Sequence, residues 1–139
     1  MNILLVEDDP NVAIVLEYAL TVAGHKVLGP ASNSVEAYDL VTFQRPQLAL
    51  VDVKLNDGLT GGDLAERLQK DFGIPSIYVT GNEHKLDLSK TGSYGYIAKP
   101  YSLKTVVDAV DTVQSIMKGE EPYHVPRDLK LFNPNHVKN

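Results

Sequence analysis

Glu7, Asp8 and Asp9 follow the apolar run Ile3, Leu4, Leu5, Val6 with no spacer, and Asp52 stands at the end of a second run, LALVDV. Thr80 ends a third, PSIYVT, and Lys99 directly follows a fourth, YGYIA. Two like charges about 4 Å apart repel by about 4 kcal/mol at an effective dielectric of about 20, so clustered carboxylates either splay into water or share a cation. Carboxylate oxygens suit Mg2+, which keeps waters and adds phosphate oxygens. Glu7, Asp8 and Asp52 would hold such an ion, and Asp52 could then act as nucleophile toward a phosphoryl group, giving an aspartyl phosphate. Lys99 would offset charge on the phosphoryl oxygens and Thr80 would hydrogen-bond one of them. Phosphoryl transfer asks mostly for positioning and electrostatics, so this small set suffices.

Each residue alone has a plainer reading. An acidic run after a strand is usually solvated or caps a helix, and Asp9, just before Pro10, is read as an N-cap. Asp52 alone could equally cap or turn. What favours chemistry is the convergence, and that depends on the elements that carry the residues.

Those elements alternate. Residues 3–6 form a first strand. Val12, Val15, Leu16, Ala19, Leu20 and Ala23 then repeat at helical spacing until Gly24. HKVLGPAS (25–32) holds a short second strand, and Asn33 and Glu36 have capping-box spacing ahead of Ala37, Leu40 and Val41. Pro46 closes that helix, and residues 48–53 are continuously apolar enough for a strand buried on both faces. LNDGLTGG (55–62) is a turn-rich loop, with Asp57-Gly58 as its simplest turn. Leu64, Ala65 and Leu68 carry a third helix to Gly73, and residues 75–80 a fourth strand. Over 81–93, Leu86 and Leu88 make a poor stripe, which predicts a short or irregular helix. Residues 94–98 make a fifth strand. Leu103, Val106, Val107, Val110, Val113 and Met117 make the last helix. Five strand–helix units predict an α/β fold, a parallel sheet covered on both faces. In such sheets ligands bind beyond the carboxyl ends of the strands, where Glu7, Asp8, Asp52, Thr80 and Lys99 all fall.

Composition sets bounds. A chain of 139 residues, 43% hydrophobic, fits one domain with a real core. The net charge of −5 comes without a basic run, so no nucleic-acid partner is expected. There is no cysteine, hence no disulfide framework and no thiolate metal site. No signal peptide and no membrane span are expected, and a cytoplasmic location follows as the expectation. The four histidines, His25, His84, His124 and His136, lack metal-ligand spacing and are read as solvated.

The stretches VEDDP, LVDVKLNDGLTG, YVTGN and YIAKPY together resemble the receiver domain of two-component response regulators, over about residues 1–118. The resemblance implies a flavodoxin-like (βα)5 doubly wound fold, its five-stranded parallel sheet ordered 2-1-3-4-5. It implies that Asp52 is the phosphoacceptor, that Glu7 and Asp8 are the acidic metal pair (Glu where Asp is commoner), and that the Lys54 carbonyl is a further Mg2+ ligand. Thr80 and Lys99 become the switch hydroxyl and the lysine of the family, Tyr96 the switch aromatic, and Lys99–Pro100 a cis peptide bond. Lys54 and Asn82 would flank the route of the water that removes the phosphoryl group. The stretch from Thr80 to Lys99 is a few residues shorter than the family's usual one.

The function so implied is that of a stand-alone response regulator. A histidine kinase or histidine phosphotransfer protein would donate to Asp52, and the chain would signal by protein contact or act as a phosphate relay or sink. Such a protein is no enzyme beyond catalysing its own phosphorylation and dephosphorylation. In the family the donor docks on the first helix and the loop after strand five, here Asn11, Ile14, Val15, Tyr18, Pro100 and Tyr101. Ile14 and Tyr18 would serve equally as part of a broad core face. The alternative is a degenerate receiver acting as a phosphorylation-independent binding module, against which the intact acceptor, metal acids, hydroxyl and lysine argue. A flavodoxin-type cofactor binder would need a phosphate-cradling loop after strand one, and here that loop is acidic. A dehalogenase-type phosphatase would want Asp at position 54, and it is Lys.

Residues 119–139 lie beyond the resemblance and are expected to be an extension without a fold of its own. Tyr123, Val125, Leu129, Leu131 and Phe132 nevertheless give it apolar surface to dock on its own domain or on a second subunit of a homodimer.

Overall fold

The computed structural model describes residues 1–53, 61–81 and 93–132. Its elements run β1 (Asn2–Val6), α1 (Pro10–Val22), β2 (Lys26–Ala31), α2 (Ser34–Phe43), β3 (Leu48–Asp52), α3 (Gly61–Phe72), β4 (Ser76–Thr80), β5 (Ser93–Ala98), α4 (Leu103–Met117) and β6 (Leu129–Leu131). The sheet order is β2-β1-β3-β4-β5-β6. The first five strands follow the expected order and pair in parallel, whereas β6 is antiparallel to β5.

Period-two alternation splits the core. Ile3, Leu5, Leu50, Ile77 and Ile97 face α1 and α4, where Leu16, Leu20, Val106 and Val110 meet them. Leu4, Val6, Val51 and Tyr78 face α2 and α3, where Val41, Leu64 and Leu68 meet them. A sheet covered on both faces has no polar side, which is why β3 and β4 are buried at every position.

The helix ends follow local chemistry. Asp9 accepts from the backbone N–H groups of Asn11 and Val12, and Pro10 opens α1 without losing a bonded N–H. Asn33 accepts from Glu36 N–H at 2.9 Å, and Glu36 reaches back to Ser32 N–H at 3.1 Å. Of the expected α1 stripe, Leu16 and Leu20 are buried and Val12 packs on the core, whereas Val15 and Ala23 are exposed. Ala13 is buried as well, and the exposure of Val15 is 46%. Pro30 is tolerated because β2 is an edge strand. Gly29 before it has φ +104°, and a Cβ there would lie 2.8 Å from the Leu5 carbonyl oxygen, so only glycine fits.

Residues 119–132 return to the domain instead of leaving it. The buried Thr112 hydroxyl on α4 sits 2.6 Å from the His124 carbonyl oxygen, Val125 packs on the α1/α4 core, and Leu129 is 4% exposed. Leu129, Lys130 and Leu131 then pair with Ile97, Tyr96 and Gly95. Tyr123, expected among the docking residues, is fully exposed. His25, expected in solvent, is buried: Met1 places its amino group 3.3 Å from Nδ1, and burial followed by that charge lowers the imidazole pKa. His124 is exposed as expected, and His84 and His136 lie outside the described residues. So do the Asp57-Gly58 turn and nearly all of the expected 81–93 helix, of which Ser93 already belongs to β5.

Candidate functional site: an acidic cluster at the carboxyl edge of the sheet

Parallel pairing brings the strand ends into line. Val6 pairs with Val51, Asp52 with Val79, and Thr80 with Ala98. The next backbone bond, Lys99 N–H to the Thr80 carbonyl at 2.8 Å, carries the β4–β5 ladder one residue past the strands. Register alone thus delivers Glu7, Asp52, Thr80 and Lys99 to one edge, and the site needs no long loop to assemble it.

Carboxylate oxygens of Glu7, Asp8 and Asp52 lie within 4.8 Å of one another. Glu7 and Asp52 are each 4% exposed, and Asp8 is half-buried. Burial, then the charge of Asp52 and hydrogen bonds to Asp8 and Asp52, push the Glu7 carboxyl up to about 7, against the lowering effect of the Asp9 N–H. That N–H donates to Glu7 Oε2 at 3.1 Å. A buried acid so raised is one whose charge lacks enough positive counterpart. Lys99 supplies part of it, with Nζ 3.0 Å from Asp52 Oδ2, its side chain 40% exposed against 5% for Asp52. The donor set fits a hard divalent cation, with all-oxygen ligands converging where negative charge is in excess.

The remaining expected residues divide. Thr80 is 3% exposed at the end of β4, on the same edge. The Lys99–Pro100 bond is cis, as is Gly29–Pro30, which was not foreseen. Tyr96 is half-buried, with its ring 5.7 Å from Phe132. Ile14 and Tyr18 are 65% and 71% exposed, and Asn11 and Pro100 are exposed as well. Val22, 68% exposed, continues the Ile14–Tyr18 stripe at helical spacing and was missed, although i, i+4, i+8 spacing could have found it. Tyr101 differs from the rest of the expected docking set. It is half-buried, and burial followed by the charges of Glu7 and Asp52 pushes its phenol up to about 12, so it borders the acidic cluster itself. Lys54 and Asn82 lie outside the described residues.

A family model described as response regulator receiver domain matches residues 3–111. Phyllosphere-induced regulator PhyR of Methylorubrum extorquens is 35% identical over 102 residues, which cover 72% of this chain and 38% of that protein. Sporulation initiation phosphotransferase F of Bacillus subtilis is 32% identical over 113 residues, covering 78% of this chain and 90% of that one. Among solved structures, a CheY-like receiver domain protein from Methanospirillum hungatei aligns with TM-score 0.76 at 26% identity over 84% of this chain and 95% of that one. The receiver domain of Erythrobacter litoralis PhyR aligns with TM-score 0.74 at 28% identity, over 81% and 88%. The chain spans only 38%, 44% and 57% of the first three curated relatives. Strand order, edge chemistry and a match across residues 3–111 agree, and the chain belongs to the response regulator receiver domain family.

Proposed function

We propose that this receiver domain takes a phosphoryl group onto Asp52 from a phosphohistidine donor, and signals by protein contact or passes the group on. The observation that carries the reading is the buried Asp52 carboxylate, shared between the Lys99 ammonium at 3.0 Å and two further acids. A carboxylate held this way is aimed, desolvated and paired with the Lys99 ammonium.

In the transfer, an Asp52 oxygen bonds to phosphorus while the phosphorus–nitrogen bond of the donor histidine breaks, and the imidazole leaves with the electron pair and takes a proton. Lys99 sits against the charge on the phosphoryl oxygens, and the Thr80 hydroxyl donates to one of them. Glu7, Asp8 and Asp52, with the Lys54 carbonyl, would hold Mg2+, which neutralises phosphoryl charge when bound. Hydrolysis by water reverses the modification, and no other substrate is turned over. The donor docks over Asn11, Ile14, Val15, Tyr18, Pro100 and Tyr101. Among the described residues no helix is long and apolar enough to cross a membrane.

The test is labelling of the chain by acetyl phosphate or phosphoramidate, read as gain of one phosphoryl group by intact mass. Wild type with Mg2+ should label, whereas Asp52→Asn, or wild type in excess EDTA, should not. Labelling of Asp52→Asn at the wild-type rate overturns Asp52 as the acceptor, and failure of wild type to label with Mg2+ leaves the phosphorylation-independent binding module.

A further inference from the structure

We propose that β6 is a strand that detaches in response to the state of Asp52, with the Tyr96–Phe132 contact as the coupling element. The proposal rests on the phosphoacceptor reading above.

The strand is built to come close and to hold unevenly. A Cβ at residue 95 would lie 2.2 Å from the Lys130 carbonyl oxygen, so β6 reaches its place only because Gly95 has no side chain. Its leading end is fixed: Leu129 is 4% exposed and the His124 carbonyl meets Thr112. Its trailing end is held by less. Leu131 and Phe132 are half-buried, and Phe132 N–H donates to the Tyr94 carbonyl at 3.0 Å. The Phe132 ring leans on Tyr96 at 5.7 Å and on Tyr78 at 6.5 Å. Detachment therefore starts at Phe132.

The same aromatics border the chemistry. Tyr78 pairs with Tyr96, and Thr80 with Ala98, so by alternation all four side chains lie on the α2/α3 face of adjacent strands. One extra residue, Tyr94, bulges between the Ser76–Ser93 and Ile77–Gly95 pairs. It sends the Tyr94 ring to the α1/α4 core while Tyr96 stays on the face with Thr80 and Phe132. When the Thr80 hydroxyl turns to a phosphoryl oxygen at the strand end, the space it leaves is bordered by Ala98, a small residue, and then by the Tyr96 ring. A Tyr96 ring that moves toward that space leaves Phe132. Losing one aromatic partner corresponds to roughly a 2- to 10-fold change in the hold on β6. By linkage, the state with β6 lifted must favour the phosphoryl group by the same factor.

Amide hydrogen exchange of the full chain, with Mg2+ and with or without beryllium fluoride as the phosphoryl mimic, tests this. Labelling of Asp52 by acetyl phosphate is measured in parallel. Exchange across residues 129–132 should rise roughly 2- to 10-fold with the mimic, and Asp52→Asn should show no rise. Phe132→Ala should raise exchange in the absence of the mimic, flatten the response and tighten beryllium fluoride binding by a similar factor, while Phe132→Tyr keeps the wild-type response. Gly95→Ala should detach β6 in every state. Asp52 labelling with unchanged exchange at 129–132 overturns the coupling and leaves the phosphoacceptor standing. Absence of labelling overturns both.

Discussion

Lys99 Nζ lies 3.0 Å from Asp52 Oδ2, a contact between a half-exposed ammonium and a carboxylate that is 5% exposed. The asymmetry means that solvent screens the lysine but not the acid. Lys99→Ala is expected to cost about 1 kcal/mol in stability, in the range of exposed pairs. It should cost far more in chemistry: removing a donor aimed at developing charge slows such reactions by roughly 100-fold or more. Urea unfolding and the rate of acetyl phosphate labelling, measured on the same preparation, separate the two. Equal labelling rates would show that Lys99 acts on folding alone.

Glu7 predicts a pH dependence of unusual sign for an acid. Its folded pKa is about 7 against an ordinary 4.5, so between those values the folded chain holds a proton that the unfolded chain has released. Metal-depleted protein therefore loses stability as pH rises through that window. Mg2+ binding requires the ionised acid, so its affinity should rise with pH up to about 7 and level off above. Glu7→Gln should flatten the stability profile and weaken Mg2+. Urea midpoints at pH 5 and 8, with and without Mg2+, report both.

The exposed stripe of Ile14 and Tyr18 on α1, 65% and 71% exposed, should matter to a protein donor and not to a small one. An Ile14→Asp, Tyr18→Asp chain should label with acetyl phosphate at the wild-type rate but accept from its histidine donor at least about 10-fold more slowly, since a few apolar anchors dominate such contacts. Phosphotransfer assays with both donors decide it, and parallel losses would mean that the substitutions damaged the fold.

Leu129 measures what the returning segment contributes. At 4% exposure it packs on the α1/α4 core, and Leu129→Ala should cost about 2 kcal/mol, the low end for a buried leucine because the site is at the sheet's edge. Urea unfolding checks the value. A loss below about 0.5 kcal/mol, the level of an ordinary surface substitution, would mean the segment adds little to the fold.

What could be read from the residues was whatever local chemistry decides. The apolar runs of β1, β3 and β4, the caps at Asp9 and Asn33 and the strand-end positions of Glu7, Asp52, Thr80 and Lys99 follow from period, capping and strand length. What could not be read depends on partners far away in sequence. The helical spacing of Val12, Val15 and Leu16 fits two phases of α1, and only the neighbouring α4 selects Leu16 and Leu20 over Val15. β6 is three residues long, too short to show alternation, and the feature that admits it, Gly95, stands 34 or more positions earlier. His25 is buried by Met1 and the chain around it, which no ligand-spacing argument addresses.

The three-residue length of β6 has a bearing on solubility. An open sheet edge is a template on which other chains can add strands, and short charged edges discourage this. With β6 seated, the outermost strand is Leu129–Leu131 with Lys130 exposed at its centre, a poor template. With β6 lifted, the outermost strand is β5, six residues carrying Tyr94, Tyr96 and Ile97 and no charge. The phosphorylated protein would then be the form that self-associates first on concentration, and Lys130 the residue that keeps the unmodified form dispersed.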